Sequence, residues 1–98
     1  MSQPVELTVD LWSDISQAFV AFFGPLGTVS QSDEELAFAA DDTGLILGRD
    51  GTSRSFMPLH ELGTRWDRVA FDAANWQVVL SAVGIEYVYR VPPRLIPD

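Results

Sequence analysis

Four arginines in the middle of the chain are the residues whose type and spacing could do chemistry. Arg49 and Arg54 flank an Asp50-Gly51 turn, and Arg65 and Arg68 follow a short connection. Converging guanidinium groups bind a carboxylate or a phosphate through paired hydrogen bonds, which lysine does less well. We therefore predict an anion-binding or partner-binding site at one end of a sheet. The alternative is that these are surface arginines paired with neighbouring acids.

His60 is the single histidine of the chain and the other candidate for this site. Ser53 or Ser55 as nucleophile, with Asp67 or Asp72 orienting the histidine, would supply a serine–histidine–acid set. The sequence has no G-x-S-x-G turn to expose such a serine, and one histidine cannot build a multi-histidine metal site within one subunit. We assign no catalytic residue and no metal ligand, and we group His60 with the arginines.

Other chemistries are excluded by composition. The chain has no cysteine and no lysine, so disulfides, thiolate metal sites, Schiff bases and a P-loop lysine cannot form. Acids cluster at residues 33–35 and 41–42, but neither cluster has the alternating ligands and the supporting glycine of a calcium loop. We read both clusters as solvated turns, and we predict no cofactor.

Charge is distributed unevenly along the chain. The formal net charge is -8, and all six basic residues are arginines at or after position 49. Such an asymmetry favours a protein partner or a second copy of the chain over nucleic acid, which a strongly acidic protein repels. The absence of lysine fits adaptation to high salt and a GC-rich genome equally well, and neither explanation concerns activity.

Composition predicts one soluble domain over residues 1–98, with a proline-rich tail at 92–98. Apolar residues make up 47% of the chain, which is enough for a core. The longest uncharged stretch, 15–32, is interrupted by Gly24-Pro25 and Gly27, so it does not resemble a membrane span of roughly twenty apolar residues. With no basic leader visible, we expect a cytoplasmic protein. The tail either packs on its own domain or docks into a partner.

Hydrophobic periodicity predicts an α+β fold. Residues 11–23 form an amphipathic helix, with Asp10 as N-cap and Gly24-Pro25 as its end. Period-two patterns predict strands near 36–40, 45–47, 52–57, 66–71 and 85–91, with Asp50-Gly51 as a two-residue type I′ hairpin turn and 58–64 as a connection. A weaker alternation permits a short strand before the helix.

The segment 73–83 fits two structures. Asp72 as N-cap and Gly84 after the last turn favour a helix, and the alternation of the segment fits a strand almost as well. We favour the helix. The predicted fold is then an N-terminal helix, a mainly antiparallel sheet of four to five strands, and a second helix before the final strand. The expected core residues are Trp12, Ile15, Phe19, Phe22, Trp76 and Leu80.

These patterns predict a small non-enzymatic binding or assembly module that forms a homodimer through aromatic and arginine/acidic surfaces. The aromatic residues at 66, 76, 87 and 89 fit a core, an association face or a ligand pocket. The alternative is a small enzyme or anion-binding receptor that uses His60 with the arginines. A third hypothesis is a regulatory domain that holds an apolar ligand between the helix and the sheet.

Overall fold

The computed structural model describes residues 6–41, 43–57 and 60–96. These residues form one α-helix, nine β-strands and a short 3-10 turn. The elements in chain order are β1 (Glu6–Thr8), α1 (Trp12–Phe23), β2 (Thr28–Gln31), β3 (Glu35–Ala40), β4 (Thr43–Gly48), β5 (Thr52–Met57), β6 (His60–Arg65), β7 (Arg68–Asp72), β8 (Gln77–Ala82), β9 (Ile85–Arg90) and the 3-10 turn (Pro93–Leu95). The α+β class is therefore confirmed in its coarse form.

The strands form two antiparallel sheets rather than one. The five-stranded sheet has the order β2-β3-β4-β5-β6, and the four-stranded sheet has the order β1-β7-β8-β9. The two sheets meet at a corner, because only Trp66 and Asp67 separate β6 from β7. The Trp66 backbone N–H donates to the Gly51 carbonyl and that of Asp67 donates to the Ser81 carbonyl, both at 2.9 Å. Two consecutive residues thus hydrogen-bond to different sheets. Trp66 bonds to the β4–β5 turn of the five-stranded sheet, and Asp67 bonds to β8 of the four-stranded sheet.

Helix α1 packs against both sheets, and Trp12 at its start lies 6.4 Å from Trp66 at the corner, measured between ring centroids. Its buried positions 12, 15, 19, 22 and 23 follow the helical spacing, and the intervening Ser13, Asp14 and Gln17 are exposed. Phe23 stacks on Phe38 of β3 at 4.2 Å between ring centroids, and Phe22 lies 5.7 Å from Phe71 of β7. The helix predicted from periodicity is present and supplies the largest part of the core.

The predicted cap of this helix is wrong. Leu11 occupies the N-cap position and makes no side-chain hydrogen bond to the first turn. The Asp10 carboxylate instead accepts a hydrogen bond from the Thr8 hydroxyl at the end of β1. Asp10 therefore ends the strand rather than starting the helix.

The predicted second helix at 73–83 is also wrong, because this segment forms a turn followed by β8. The Asp72 carboxylate accepts a hydrogen bond from the Asn75 backbone N–H at 3.3 Å, and Trp76 has a positive φ of 51°. Gly84, with φ 76°, lies in the β8–β9 turn. Aspartate and glycine are favoured in tight turns for the same reasons that favour them at helix ends. Asp72 and Gly84 therefore did not distinguish a helix from a turn followed by a strand. Pairing on both sides with β7 and β9 stabilises the strand.

Two further differences concern strands and a turn. Residues 60–65 form β6 instead of a connection, and β2 was not predicted; Pro58 lies outside the described residues.

The β4–β5 turn has three residues, with the Gly51 N–H donating to the Gly48 carbonyl at 3.0 Å. Only Gly51 in this turn has positive φ, at 91°. This is a type I turn followed by a left-handed glycine rather than the type I′ turn.

Buried hydroxyl pairs connect the sheets across the core. The Tyr89 hydroxyl lies 2.8 Å from Thr43 Oγ1 on β4, and the Tyr87 hydroxyl lies 2.7 Å from Ser55 Oγ on β5. Of the six expected core residues five are buried, while Trp76 is half-buried against the cluster. Leu95 and Ile96 also pack against it, so the tail up to residue 96 lies on its own domain.

We predict that Phe23→Ala destabilises the protein by about 3–5 kcal/mol, because the side chain is fully buried and contacts rings from both the helix and β3. Val20→Ala is the matched control on the exposed side of the same helix and should change stability by less than about 0.5 kcal/mol. Urea unfolding followed by tryptophan fluorescence measures both. Equal losses in the two variants would contradict the packing described here.

We also predict an alkaline loss of stability that depends on Tyr89. Burial raises the pKa of its phenol above the ordinary value of 10.0, outweighing the opposite effect of the hydrogen bond with Thr43. The folded state therefore keeps a proton that the unfolded state loses, and the free energy of unfolding falls as pH rises above about 10. Without lysine or cysteine, few other groups titrate there. Urea midpoints between about pH 9 and pH 11 should fall less in Tyr89→Phe than in the wild type. An identical pH dependence in both would refute this assignment.

Candidate functional site

Arg49 and Arg65 both contact the segments around the β4–β5 turn. Arg49 donates from its backbone N–H to the Glu34 carbonyl at 2.9 Å, and from Nη1 to the Asp33 carbonyl at 3.1 Å. Arg65, at the end of β6, donates from Nη2 to the Asp50 carbonyl at 3.3 Å. The Arg49 side chain thus binds a backbone oxygen of the β2–β3 loop, that of Arg65 binds one of the turn itself, and both residues remain exposed.

The turn itself is held by Asp50 and Thr52. The Asp50 carboxylate accepts hydrogen bonds from Thr52 Oγ1 at 2.6 Å and from the Thr52 backbone N–H at 3.1 Å. These bonds, the hydroxyl first, hold the pKa of the Asp50 carboxyl below its ordinary value of 3.8. Glycine is required at position 48, since a Cβ there would lie 2.4 Å from Thr52 Oγ1. The local sequence therefore determines the turn that carries Arg49, and the pairing of β6 with β5 brings Arg65 beside it.

Arg54 lies on the solvent-facing side of the five-stranded sheet. It is exposed, while its neighbours Ser53 and Ser55 are buried. Strand alternation places Ile46 of β4, which pairs with Arg54, on the same side. By the same alternation Arg65, which pairs with Thr52, also belongs to this side. We call it the outer face.

The outer face carries opposite charges on its two sides. Glu35 lies on β3, paired with Gly48, and is exposed. Arg54 and Arg65 lie on β5 and β6, so about 14 Å, three strand spacings, separates the Glu35 backbone from that of Arg65. Ile46 of β4 lies between the strands that carry Glu35 and Arg54. Near the β4–β5 turn this face therefore has an acid on β3 and arginines on β5 and β6, while Glu61, paired with Phe56, belongs to the same side further along β6.

The structure places the remaining two candidates elsewhere. Arg68 belongs to the other sheet and forms ion pairs with Asp67 at 3.1 Å and with Glu6 at 3.8 Å. His60 is the first residue of β6 and Arg65 is the last, so about 17 Å of strand separates their backbones. The His60 side chain lies outside the described part of the structure. The backbone thus gathers Arg49, Arg54 and Arg65 at one end of the sheet, apart from the other two.

The aromatic residues considered for an association face belong to the interior. Trp66 is 2% exposed and donates from Nε1 to the Thr52 carbonyl at 2.9 Å, while Tyr89 is fully buried. Trp76 and Tyr87 are half-buried and pack against the core. These rings stabilise the fold.

Sequence reasoning missed a polar groove of about 500 Å³ next to Arg49. It lies between the start of α1, the end of β2 and the β4–β5 turn, and we call it the polar groove. Its lining residues are Asp10, Trp12, Ser13, Ser16, Gln31, Ser32, Asp33 and Arg49. No local pattern could have revealed it, because three distant segments meet there only through the tertiary fold.

A second, apolar recess of about 280 Å³ lies between α1 and β7. Its walls come from Ala18, Ala21 and Phe22 on the helix side and from Phe71 and Ala73 on the sheet side. This is the location considered for an apolar ligand from the sequence. The described residues contain no group of histidine, aspartate or glutamate side chains arranged to hold a metal ion.

Comparison with known protein families, with curated proteins and with solved structures finds no match for this chain. Within the part of the chain that the structure describes, no helix is long and apolar enough to cross a membrane.

We predict that Thr52→Val raises the pKa of Asp50 toward its ordinary value, because the variant loses the hydroxyl that contributes most to the present shift. The titration of the Asp50 carboxyl carbon by NMR measures this change. Thr28→Val, an exposed strand position on β2, is the control and should leave the Asp50 titration unchanged. An unaltered Asp50 pKa in Thr52→Val would show that the turn is held in another way.

Proposed function

We propose that the protein is a non-enzymatic assembly module that forms a homodimer by packing the outer faces of two five-stranded sheets against each other. The observation that supports this function is the arrangement of charge on the outer face near the β4–β5 turn, with Glu35 on one side and Arg54 and Arg65 on the other. A surface of this kind complements itself, because a two-fold rotation exchanges its two charged sides.

The two-fold axis of the proposed dimer passes near Ile46. Rotation about it brings Glu35 of one copy opposite Arg54 and Arg65 of the other, and the reverse contact forms at the same time. Sheets pack face to face at about 10 Å when small side chains separate them. Ala37, Ala39 and Gly63 provide such positions on this face.

The size of the face indicates a weak dimer. Five strands span about 24 Å, and six residues of strand span about 20 Å. The face therefore covers roughly 500 Å² per copy, below the roughly 800 Å² per partner of a stable interface. Association should then depend strongly on the charges, which are screened by salt within about 10 Å at 0.1 M.

Protein is the partner that the charge of the chain favours. A net charge of -8 opposes close approach to a nucleic acid duplex. Within this proposal the dimer belongs to the cytoplasm, binds no cofactor and has no catalytic residue. The rings at 66 and 89 take no part in the interface, since both are buried in the core.

We predict that sedimentation velocity detects a dimer at about 20 mM salt that dissociates toward about 300 mM salt. The double variant Arg54→Glu/Arg65→Glu should be monomeric, and so should Glu35→Arg, because each places like charges opposite one another. An equimolar mixture of these two variants should recover the dimer as a heterodimer. Arg90→Glu, an exposed arginine on β9 of the other sheet, is the control and should dimerise like the wild type.

Two outcomes would contradict this function. The first is a wild-type monomer at every ionic strength. The second is a dimer that survives charge reversal at Arg54 and Arg65, since association would then use a different surface. Circular dichroism of each variant confirms that the fold is retained before the comparison is made.

A further inference from the structure

The polar groove has the size and the mixed lining of a small-molecule site. Its volume of about 500 Å³ lies within the range of roughly 300–1,000 Å³ that is typical of ligand pockets. Three separate segments form its walls: the start of α1, the loop after β2 and the β4–β5 turn. Its lining includes neither Arg54 nor Arg65, the arginines of the proposed dimer face, so a ligand there concerns a separate property of the protein.

Arg49 is the cation of the groove and is held in place by the neighbouring loop. Its backbone N–H binds the Glu34 carbonyl, and its Nη1 binds the Asp33 carbonyl. Among the described residues this Nη1 contact is the single hydrogen bond of a guanidinium that has five donors. The remaining donors can bind a carboxylate in the bidentate geometry that guanidinium groups favour.

Asp10 and Asp33 provide negative charge in the same groove. Neither carboxylate lies within 4.0 Å of an arginine nitrogen in the described part of the chain, although Arg49 lines the groove with both. The Ser32 hydroxyl accepts hydrogen bonds from the Glu34 and Glu35 backbone N–H groups at 3.2 and 3.1 Å, which orders the loop that carries Asp33. Opposite charges thus share one ordered groove without neutralising each other.

We propose that the polar groove binds a small zwitterion with a carboxylate and an ammonium group, the chemistry of a free α-amino acid. The ligand carboxylate binds the guanidinium of Arg49, and its ammonium group binds the carboxylate of Asp33. A simple anion lacks a partner for the two aspartates and is repelled by them. A simple cation is attracted by the two aspartates but leaves the Arg49 guanidinium without a partner.

Two further features of the groove support this ligand class. Ser13 and Gln31 are exposed polar residues at its walls and can bind a polar amino-acid side chain. Helix α1 starts at the groove without a side-chain cap, and the positive end of its dipole favours the carboxylate. The proposal rests on the charges of the groove. The N-terminus of the helix adds positive potential where the ligand carboxylate binds.

The test uses L-serine together with two probes that each lack one charge. Ethanolamine has the ammonium group without the carboxylate, and 3-hydroxypropionate has the carboxylate without the ammonium group. In titrations of the full chain at low salt, followed by amide chemical shifts, serine should move the resonances of residues 12–16, 32–34 and 49. Each single-charge probe should need at least about tenfold more ligand, equivalent to the loss of one charged contact.

Variants assign the two contacts. Arg49→Gln and Asp33→Asn should each weaken serine binding by at least about tenfold. Arg90→Gln and Asp41→Asn are the controls, because both residues are exposed and lie outside the groove, and they should leave binding unchanged. The monomeric Arg54→Glu/Arg65→Glu variant should bind serine like the wild type, which separates this site from the dimer face.

Three results would overturn the proposal. One is the absence of any serine-induced shift at the groove resonances. Another is equal affinity for serine and 3-hydroxypropionate, which would make the groove an anion site. The third is undiminished serine binding in Arg49→Gln or in Asp33→Asn, since the charges of the groove would then play no part in recognition.

Discussion

The aromatic packing of α1 between the two sheets is the interaction on which the rest of the structure depends. Phe23 contacts Phe19, Phe22, Phe38 and Tyr89, so one side chain links the helix to β3 and to β9. Burying a ring of this size contributes about 1.5–3 kcal/mol, and paired rings add about 0.5–1.5 kcal/mol. Because neither sheet covers its own inner face, the helix and the opposite sheet must do so together. The outer face and the polar groove are the outside of that arrangement.

Both candidate surfaces derive from the β4–β5 turn. Its sequence, Gly48 to Thr52, forms a turn in which side-chain and backbone hydrogen bonds leave little freedom. On one side the turn holds Arg49 at the polar groove, and on the other it receives Arg65 from β6. The buried contact between Trp66 Nε1 and the Thr52 carbonyl joins the turn to the corner between the sheets. A rigid turn thus allows two surfaces of different chemistry to lie near each other without sharing side chains.

The sequence predicted features that depend on neighbouring residues and failed where distant residues decide. The helix and the strands at 36–40 and 85–91 were predicted from their own hydrophobic periods. The strand at 45–47 was predicted from its apolar run, and that at 52–57 from the turn before it and the proline after it. The strand β8 was predicted as a helix, because Asp72 and Gly84 end turns and helices alike, and only pairing with β7 and β9 separates the two structures. Of the candidate site, the proximity of Arg49 and Arg54 to one turn followed from the hairpin, whereas Arg65 joins them because β6, predicted as a connection, pairs with β5. Arg68 could not be placed in the other sheet from sequence, because nothing local marks the corner after Trp66.

What the sequence by itself determined is the chemical inventory. A chain without cysteine or lysine, with one histidine and with a net charge of -8 excludes whole classes of mechanism whatever its fold. The tertiary structure alone decided that Glu35 shares a face with Arg54 and Arg65, and that Asp10, Asp33 and Arg49 line one groove. The physical reason is that strand register and sheet closure are set by burial of the inner faces, in which residues far apart in the chain take part. The register positions the polar residues on the outer surface, but these residues do not help to set it. Their neighbours in space therefore cannot be predicted from the local sequence.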